Sequence, residues 1–350
     1  MRSEENRGIA TTMSSLNRVS KRAIGKGGKR EVNRESFQLD QRSLRRARLL
    51  VVGDVILDRY WFGEVDRVSP EAPVPIVKID RTEDRPGGAA NVARNAAALG
   101  AHVTLLSVVG ADQAGQRLAQ LMKADGVHAK LHRDHSIDTT VKVRVLGRRQ
   151  QMLRIDFETL PSHEVLLDKL AAYKTLLARS DIVVLSDYGK GGLRHISKMI
   201  DMAVAMGRRV LVDPKGEDYS RYRGATLVTP NRSELRQVVG AWRDERELAA
   251  KAQGLRQKLG IEALLLTRSE EGMTLFQKGL VSHEPAKARE VFDVSGAGDT
   301  VIAVLAVMLG AGASLGEAAR IANHAAGVVV GKLGTAVVQM QELVASLNED

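Results

Sequence analysis

The segment Asp293-Val294-Ser295-Gly296-Ala297-Gly298-Asp299-Thr300 combines two carboxylates, two hydroxyls and two glycines, and it runs into the apolar stretch 301–309. Gly296 and Gly298 let the backbone turn tightly and approach a ligand closely. The apolar stretch reads as a helix whose first N–H groups lack partners inside the helix. Free donors and the positive end of the dipole then coincide at the turn, which suits an anion. Asp299 has two readings there. It caps the helix, or it accepts a proton from a hydroxyl that attacks a phosphorus held by the turn. These eight residues leave both open.

Two further groups carry polar atoms suited to a ligand. Gly87 and Gly88 open an alanine-rich run that stops at Gly100, with Asn91 one turn in. This is a close-packed helix, or a place where glycine amides and Asn91 meet hydroxyls. Asp58 follows the apolar run 48–55 and is either turn chemistry or an acceptor for sugar hydroxyls.

The elements that must position these groups follow from periodicity. The run 48–55 reads as a buried parallel strand. Beyond it the pattern alternates, with strands at 103–109, 181–186, 209–213, 226–229 and 263–267. Helices fall at 111–125, 163–179, 193–206, 231–239, 244–259, 298–310 and 314–331. Repeated β–α units predict an α/β fold, a three-layer α/β/α sandwich with a mostly parallel central sheet. Ligands in such sheets sit at the carboxyl ends of the strands. Gly53-Asp54, Ser186-Asp187, Asp213-Pro214-Lys215-Gly216, Pro230-Asn231 and Thr267-Arg268-Ser269 should therefore converge on one rim with Asp299. Residues 58–81, broken by Pro70, Pro73 and Pro75, read as two or three short strands, and 139–157 alternate strongly. Together they predict a small β-sheet lid whose apolar face needs a cover, either substrate or a second subunit.

Composition narrows the class. Hydrophobic residues make up 44% of the 350, enough for a sizeable core. The absence of cysteine excludes disulfides and thiolate metal sites, and it fits a cytoplasmic location. No apolar run spans a bilayer and no signal peptide is recognisable, so no membrane partner is expected. The net charge of +10 is concentrated at the front. Residues 1–50 hold 13 Lys and Arg against 5 Asp and Glu, while the rest is nearly balanced, 39 against 37. Residues 1–44 read as a largely disordered basic tail, and 45–350 are enough for one large α/β domain or two smaller ones. With 3% aromatics there are few platforms for stacking bases, so nucleic acid is not the expected partner. Gly327-Val-Val-Val-Gly331-Lys332 is not a P-loop, because its spacing is short and it lacks the Ser/Thr. The histidines show no metal-ligand spacing.

Pro86-Gly-Gly-Ala-Ala-Asn91 and Asp293-Val-Ser-Gly-Ala-Gly-Asp299 resemble the two signature regions of the ribokinase-like (PfkB) carbohydrate kinases. Asp54-Val-Ile-Leu-Asp58-Arg-Tyr-Trp61, Ser69-Pro-Glu-Ala-Pro-Val-Pro75, Leu185-Ser-Asp-Tyr-Gly-Lys-Gly191, Asp213-Pro-Lys-Gly216 and Gly327-Val-Val-Val-Gly-Lys-Leu-Gly334 are similar to the branch acting on heptose 7-phosphate. The resemblance covers about residues 45–347. It implies transfer from ATP, with Mg²⁺, to the anomeric hydroxyl of D-glycero-β-D-manno-heptose 7-phosphate. It also implies a role in making ADP-heptose for lipopolysaccharide. Other substrates of the same fold, or a nucleic-acid-binding role for the basic chain, are the alternatives.

Position by position, the resemblance implies that Asp299 is the base and that Gly296, Ala297 and Gly298 form the anion hole. Asn231, Arg232, Ser233 and Glu234 lie near the nucleotide phosphates, Glu234 meeting Mg²⁺ through water. Thr267, Ser269 and Gly272 form the loop beside the nucleotide, and Asn323 lies near the adenine. Asp58, Gly87, Gly88 and Asn91 contact sugar hydroxyls. Asp293, with Ser295, marks a monovalent cation (K⁺) position. The 7-phosphate needs a basic partner among Arg85, Lys142, Arg144, Lys190 and Lys215, of which Arg144, Lys190 and Lys215 are the chosen candidates. A homodimer through the lid follows, and so does a kinase-only role, since many relatives continue into a nucleotidyltransferase domain.

Overall fold

The structure, a computed structural model, describes residues 41–148, 150–287 and 290–349. Most of the expected tail therefore lies outside the described residues. Its last four positions do not: they belong to the helix Gln41–Arg46, in which Leu44 is 1% exposed and packs into the core. The folded unit thus takes in residues before 45.

The strands are β1 Arg48–Gly53, β2 Val55–Val68, β3 Pro75–Gly88, β4 His102–Gly110, β5 His128–Asp134, β6 Val141–Gly147 and β7 Gln150–Phe157. They continue with β8 Ile182–Ser186, β9 Arg209–Asp213, β10 Leu227–Val228, β11 Ala263–Thr267, β12 Met273–Gln277 and β13 Leu280–Glu284. Nine form the central sheet in the order β13-β12-β11-β10-β9-β8-β1-β4-β5. From β5 to β11 every pairing is parallel; β12 and β13 are antiparallel additions.

Successive side chains of a strand point to opposite faces, and both faces are covered. Leu49, Val51, Val184, Leu211 and Leu265 face a core shared with the helices Ala89–Ala98, Ala297–Gly310 and Leu315–Val330. Leu50, Val52, Val183, Leu185, Val212 and Leu264 face the helices His163–Leu177, Ile196–Ala205 and Glu245–Leu259. This two-sided burial is why the strands read as unbroken apolar runs. The helix Ala297–Gly310 is buried along its whole length from Asp299 to Leu309. A helix apolar all round belongs in such a core, and its rigid seat holds Asp299.

The lid is a four-stranded sheet, β3-β2-β6-β7. Instead of two or three short strands over 58–81, β2 and β3 are 14 residues each and pair from Val55↔Gly88 to Val68↔Pro75. Pro70 and Pro73 fall in the connecting loop and Pro75 at a strand's first position, where the missing N–H does no harm. Only Asp54 separates β1 from β2, and β3 ends at Gly88, the N-cap of the helix carrying Asn91. The lid strands therefore extend directly from the elements that build the cleft. No helix among the described residues is long and apolar enough to cross a membrane.

Candidate active site

Gly296 caps the buried helix with φ 78°, a left-handed conformation that favours glycine, and a Cβ there would lie 2.7 Å from Asn91 Nδ2. Asp299 follows three residues later and is 2% exposed. Its carboxylate partners are side chains from other elements rather than its own helix terminus. Asn91 Nδ2 donates to Oδ2 at 2.9 Å, and the Tyr188 hydroxyl donates to Oδ1 at 2.7 Å. Burial pushes the pKa of Asp299 up to about 6, while the Asn91 and Tyr188 donors pull it down. A carboxylate poised there is ionised at neutral pH yet takes a proton readily. Asn95 fixes the Asn91 amide by donating to its Oδ1 at 3.1 Å and to its carbonyl at 3.0 Å.

In the turn, the Ala297 N–H donates to the Val294 carbonyl at 3.2 Å. A Cβ on Gly298 would meet nothing within 4 Å, so that side of the turn is open. Both Asp293 oxygens accept backbone N–H groups, from Ser295 at 2.9 Å and Gly334 at 2.8 Å. Burial raises the Asp293 pKa, but these donors outweigh it and hold the group below the usual carboxylate range. Asp293 thus joins the turn to the loop around Gly334, on which Arg85 of β3 also lands through the Leu333 carbonyl.

On the lid side, Asp58 is 3% exposed and pairs with Arg144 of β6. Burial raises its pKa, with Arg144 opposing. A Cβ on Gly87 would lie 2.2 Å from Asp58 Oδ2, and Gly88 has φ 58°. Both glycines are thus required by the packing around Asp58 and the strand-to-helix turn. Asp58, Gly87, Gly88, Asn91 and Asp299 form one cluster, as their sequence positions suggested.

Asp54, at the carboxyl end of β1, clamps the loop that carries Tyr188. It is 5% exposed and turns toward the loop after β8, accepting N–H groups from Tyr188 at 3.1 Å, Lys190 at 2.9 Å and Gly192 at 2.9 Å. Beneath it Lys169, fully buried, donates to the Gly192 carbonyl at 2.7 Å. Burial lowers the Lys169 pKa to about 8, against the pull of Asp54 and Asp187. Asp54 is a loop clamp in this structure.

The five basic candidates differ in how they are engaged. Arg144 is paired with Asp58, Arg85 with Glu83, Lys190 with Glu158, and Lys215 with Glu234 at 3.1 Å. Lys142 has no ion-pair partner among the described residues. It stands opposite Asp58 in the lid register, and its ammonium lies 5.9 Å from the centre of the Tyr188 ring. Burial lowers its pKa, with Asp58 opposing.

At the other end of the cleft, Asn231 caps the helix Arg232–Val239 in a reciprocal box. Its side chain accepts the Glu234 N–H at 3.0 Å, and Glu234 Oε2 accepts the Asn231 N–H at 3.0 Å. The remaining oxygen of Glu234 faces Lys215. Arg232 pairs with Glu271, and Ser233 is exposed on the same helix. Thr267 donates its N–H to the Pro230 carbonyl at 3.0 Å, which joins this helix start to the loop after β11. In that loop Ser269 has φ 54° and Gly272 φ 92°, where a Cβ would lie 2.1 Å from the Glu284 carbonyl. Asn323 is buried and donates to the Pro285 carbonyl at 2.6 Å.

Sequence reasoning placed Arg268 and Asp213 on the ligand rim without giving either a role, and it gave none to Tyr188. Arg268, 6% exposed, braces the loop through Glu245, Glu271 and Thr274. Burial, then the charges of Asp299 and Glu234, push the Asp213 pKa well above the carboxylate range, so Asp213 lies electrically between the two ends of the cleft. Its place at the end of β9 was the available signal. Tyr188 lies inside the motif Leu185-Ser-Asp-Tyr-Gly-Lys-Gly191, but a tyrosine after Ser-Asp carries no distinctive chemistry until its neighbours are known.

A family model described as pfkB family carbohydrate kinase matches residues 46–342. The chain is 61% identical over 298 residues to a D-beta-D-heptose 7-phosphate kinase of Bordetella bronchiseptica, covering 85% of this chain and 95% of that protein. It is 54% identical over 298 residues to the bifunctional protein HldE of Pseudomonas aeruginosa, and it spans 63% of that protein's length. Among solved structures, Arabidopsis thaliana ribokinase complexed with ribose and ATP superimposes with a TM-score of 0.69 at 22% identity, covering 86% of this chain and 98% of that one. Escherichia coli phosphofructokinase-2 with fructose-6-phosphate gives 0.71 at 19% identity, covering 87% and 98%. At those identities the structures establish the fold.

Proposed function

The chain belongs to the pfkB family of carbohydrate kinases, and we propose from there that it transfers the γ-phosphoryl group of ATP to the anomeric hydroxyl of D-glycero-β-D-manno-heptose 7-phosphate. The product is the 1,7-bisphosphate, a precursor of ADP-heptose for lipopolysaccharide. The observation that carries this reading is the 61% identity, over nearly the full length of a relative, to a D-beta-D-heptose 7-phosphate kinase. A cytoplasmic location goes with this reading.

Asp299 holds the attacking hydroxyl and takes its proton, kept ionised by its two side-chain donors. The open side of the turn at Gly298 receives the transferred phosphoryl group. Asp58, Asn91 and the glycine pair orient the sugar hydroxyls. Lys142, the one of the five candidates without an ion-pair partner among the described residues, meets the 7-phosphate, in preference to Arg144, Lys190 and Lys215, whose charges are engaged.

The nucleotide lies over the start of the helix Arg232–Val239, between the loop 267–272 and Asn323. Among the described residues no group of three or more His, Cys, Asp or Glu is arranged to hold a metal alone. The partly committed Glu234 fits a Mg²⁺ ion that draws most of its ligands from phosphates and water. Mg²⁺ when bound neutralises charge on the nucleotide phosphates. Asp293 and Ser295 would hold the monovalent cation, K⁺, which would offset negative charge near the turn.

A homodimer forms through the lid. Val141, Val143 and Val145 are buried, but the residues across from two of them on β7, Phe157 and Leu153, are 53% and 55% exposed. An apolar row that continues into solvent suits a second copy.

The testing experiment is ADP release with ATP and Mg²⁺ against heptose 7-phosphate, sedoheptulose 7-phosphate, fructose 6-phosphate, ribose and adenosine. Strong preference for heptose 7-phosphate is expected. Preference for another acceptor retires the substrate and keeps Asp299 as base.

A further inference from the structure

The loop after β8 is held on both sides of Tyr188. Asp54 accepts the N–H groups of residues 188, 190 and 192. Asp187 accepts the N–H of Gly189 at 2.9 Å and the hydroxyl of Tyr222 at 2.9 Å. The side chain between them reaches the cleft and places its hydroxyl 2.7 Å from Asp299 Oδ1. Asn91 holds the other oxygen. Two donors from separate elements fix the plane of a carboxylate that one donor would leave free to rotate. Each oxygen keeps lone-pair capacity for a further donor.

We infer that Tyr188 is a positioning residue for phosphoryl transfer: its hydroxyl locks the Asp299 carboxylate in the plane from which it receives the proton of the attacking sugar hydroxyl. The inference rests on Asp299 being the base.

The direction of the bond is set. Burial and the neighbouring Asp299 charge hold the Tyr188 pKa far above its ordinary value, so the phenol keeps its proton and acts as donor. Such a bond favours the ionised carboxylate. Without it, Asp299 binds a proton more tightly and samples more orientations. The base is then ionised over a narrower pH range and is less often aligned. A residue that served only packing would do neither, since the ring alone would suffice.

The test compares wild type with Tyr188→Phe, which keeps the ring and deletes the donor. Expected are a kcat lower by about tenfold or more, a KM for heptose 7-phosphate within about threefold, and an acid limb of kcat/KM moved to higher pH. The substrates are the same for both proteins, so a moved limb belongs to the enzyme. Site-specific 3-fluorotyrosine at 188, a stronger donor of nearly the same shape, should move the limb to lower pH. A kcat within twofold in both variants, with the limb unmoved, overturns the inference. Wild-type turnover in the same assay reports separately on the proposed reaction. If wild type does not turn over, the Asp299 carboxyl titration is read as an infrared difference against Asp299→Asn. An upward shift in Tyr188→Phe supports the inference, and an unmoved titration overturns it.

Discussion

Arg144 of β6 reaches diagonally across the lid ladder to pair with Asp58 of β2, whose direct register partner is Lys142. Both side chains are largely withdrawn from solvent, Asp58 at 5% and Arg144 at 14% side-chain exposure. Removing one partner of such a pair leaves a buried charge uncompensated. Arg144→Met should therefore destabilise the protein by about 3 kcal/mol. Adding Asp58→Asn should recover part of that loss while sugar affinity stays impaired. Urea unfolding of the single and double variants checks this, and a neutral single variant would refute it.

Asp299→Asn should lower kcat by at least about 10²-fold and leave ATP affinity nearly unchanged. In wild type, the acid limb of kcat/KM should lie at about pH 6, where burial places the Asp299 pKa. The sign follows from its role: the base works as the carboxylate, so activity is present above its pKa and is lost as pH falls through it. A limb near pH 4 would mean that the base is a solvated carboxyl elsewhere.

The two glycines of the turn should respond differently. Gly296→Ala forces a Cβ against Asn91 at a positive φ, so stability and activity should fall together, stability by at least about 1 kcal/mol. Gly298→Ala meets open space, so the melting temperature should hold while phosphoryl transfer suffers from the methyl group. Thermal unfolding and initial rates on both variants separate the cases. Equal thermal losses would argue against the open side as the phosphoryl position.

Lys142→Met should raise KM for heptose 7-phosphate more than about tenfold and leave KM for ATP within twofold, since a hydrogen-bonded charge pair contributes about 1.5–3 kcal/mol. Lys190→Met and Lys215→Met should have smaller effects on the sugar phosphate, because their charges are already engaged. A dominant effect at Lys190 would relocate the phosphate site.

Light scattering at micromolar concentration should give twice the chain mass, and Leu153→Asp with Phe157→Asp should halve it. A wild-type monomer with full activity would remove the lid interface.

The sequence alone determined the layered α/β architecture, since strands buried on both faces must be apolar throughout and helices between them must show their own period. It also determined the Gly-Ala-Gly-Asp turn and the glycine pair, because backbone conformations and close contacts of that kind leave few residue choices. It singled out Asp299 without deciding between cap and base. The tertiary structure brought Asn91 and Tyr188 to its two carboxylate oxygens from positions 208 and 111 residues away. It also gave Asp54 the role of clamping the loop after β8, and it merged the expected short lid strands into two long ones. It left Lys142 as the candidate cation without an ion-pair partner among the described residues. These outcomes depend on pairing between segments far apart in the chain. Local periodicity shows which face a residue occupies but cannot show which side chain will stand opposite it.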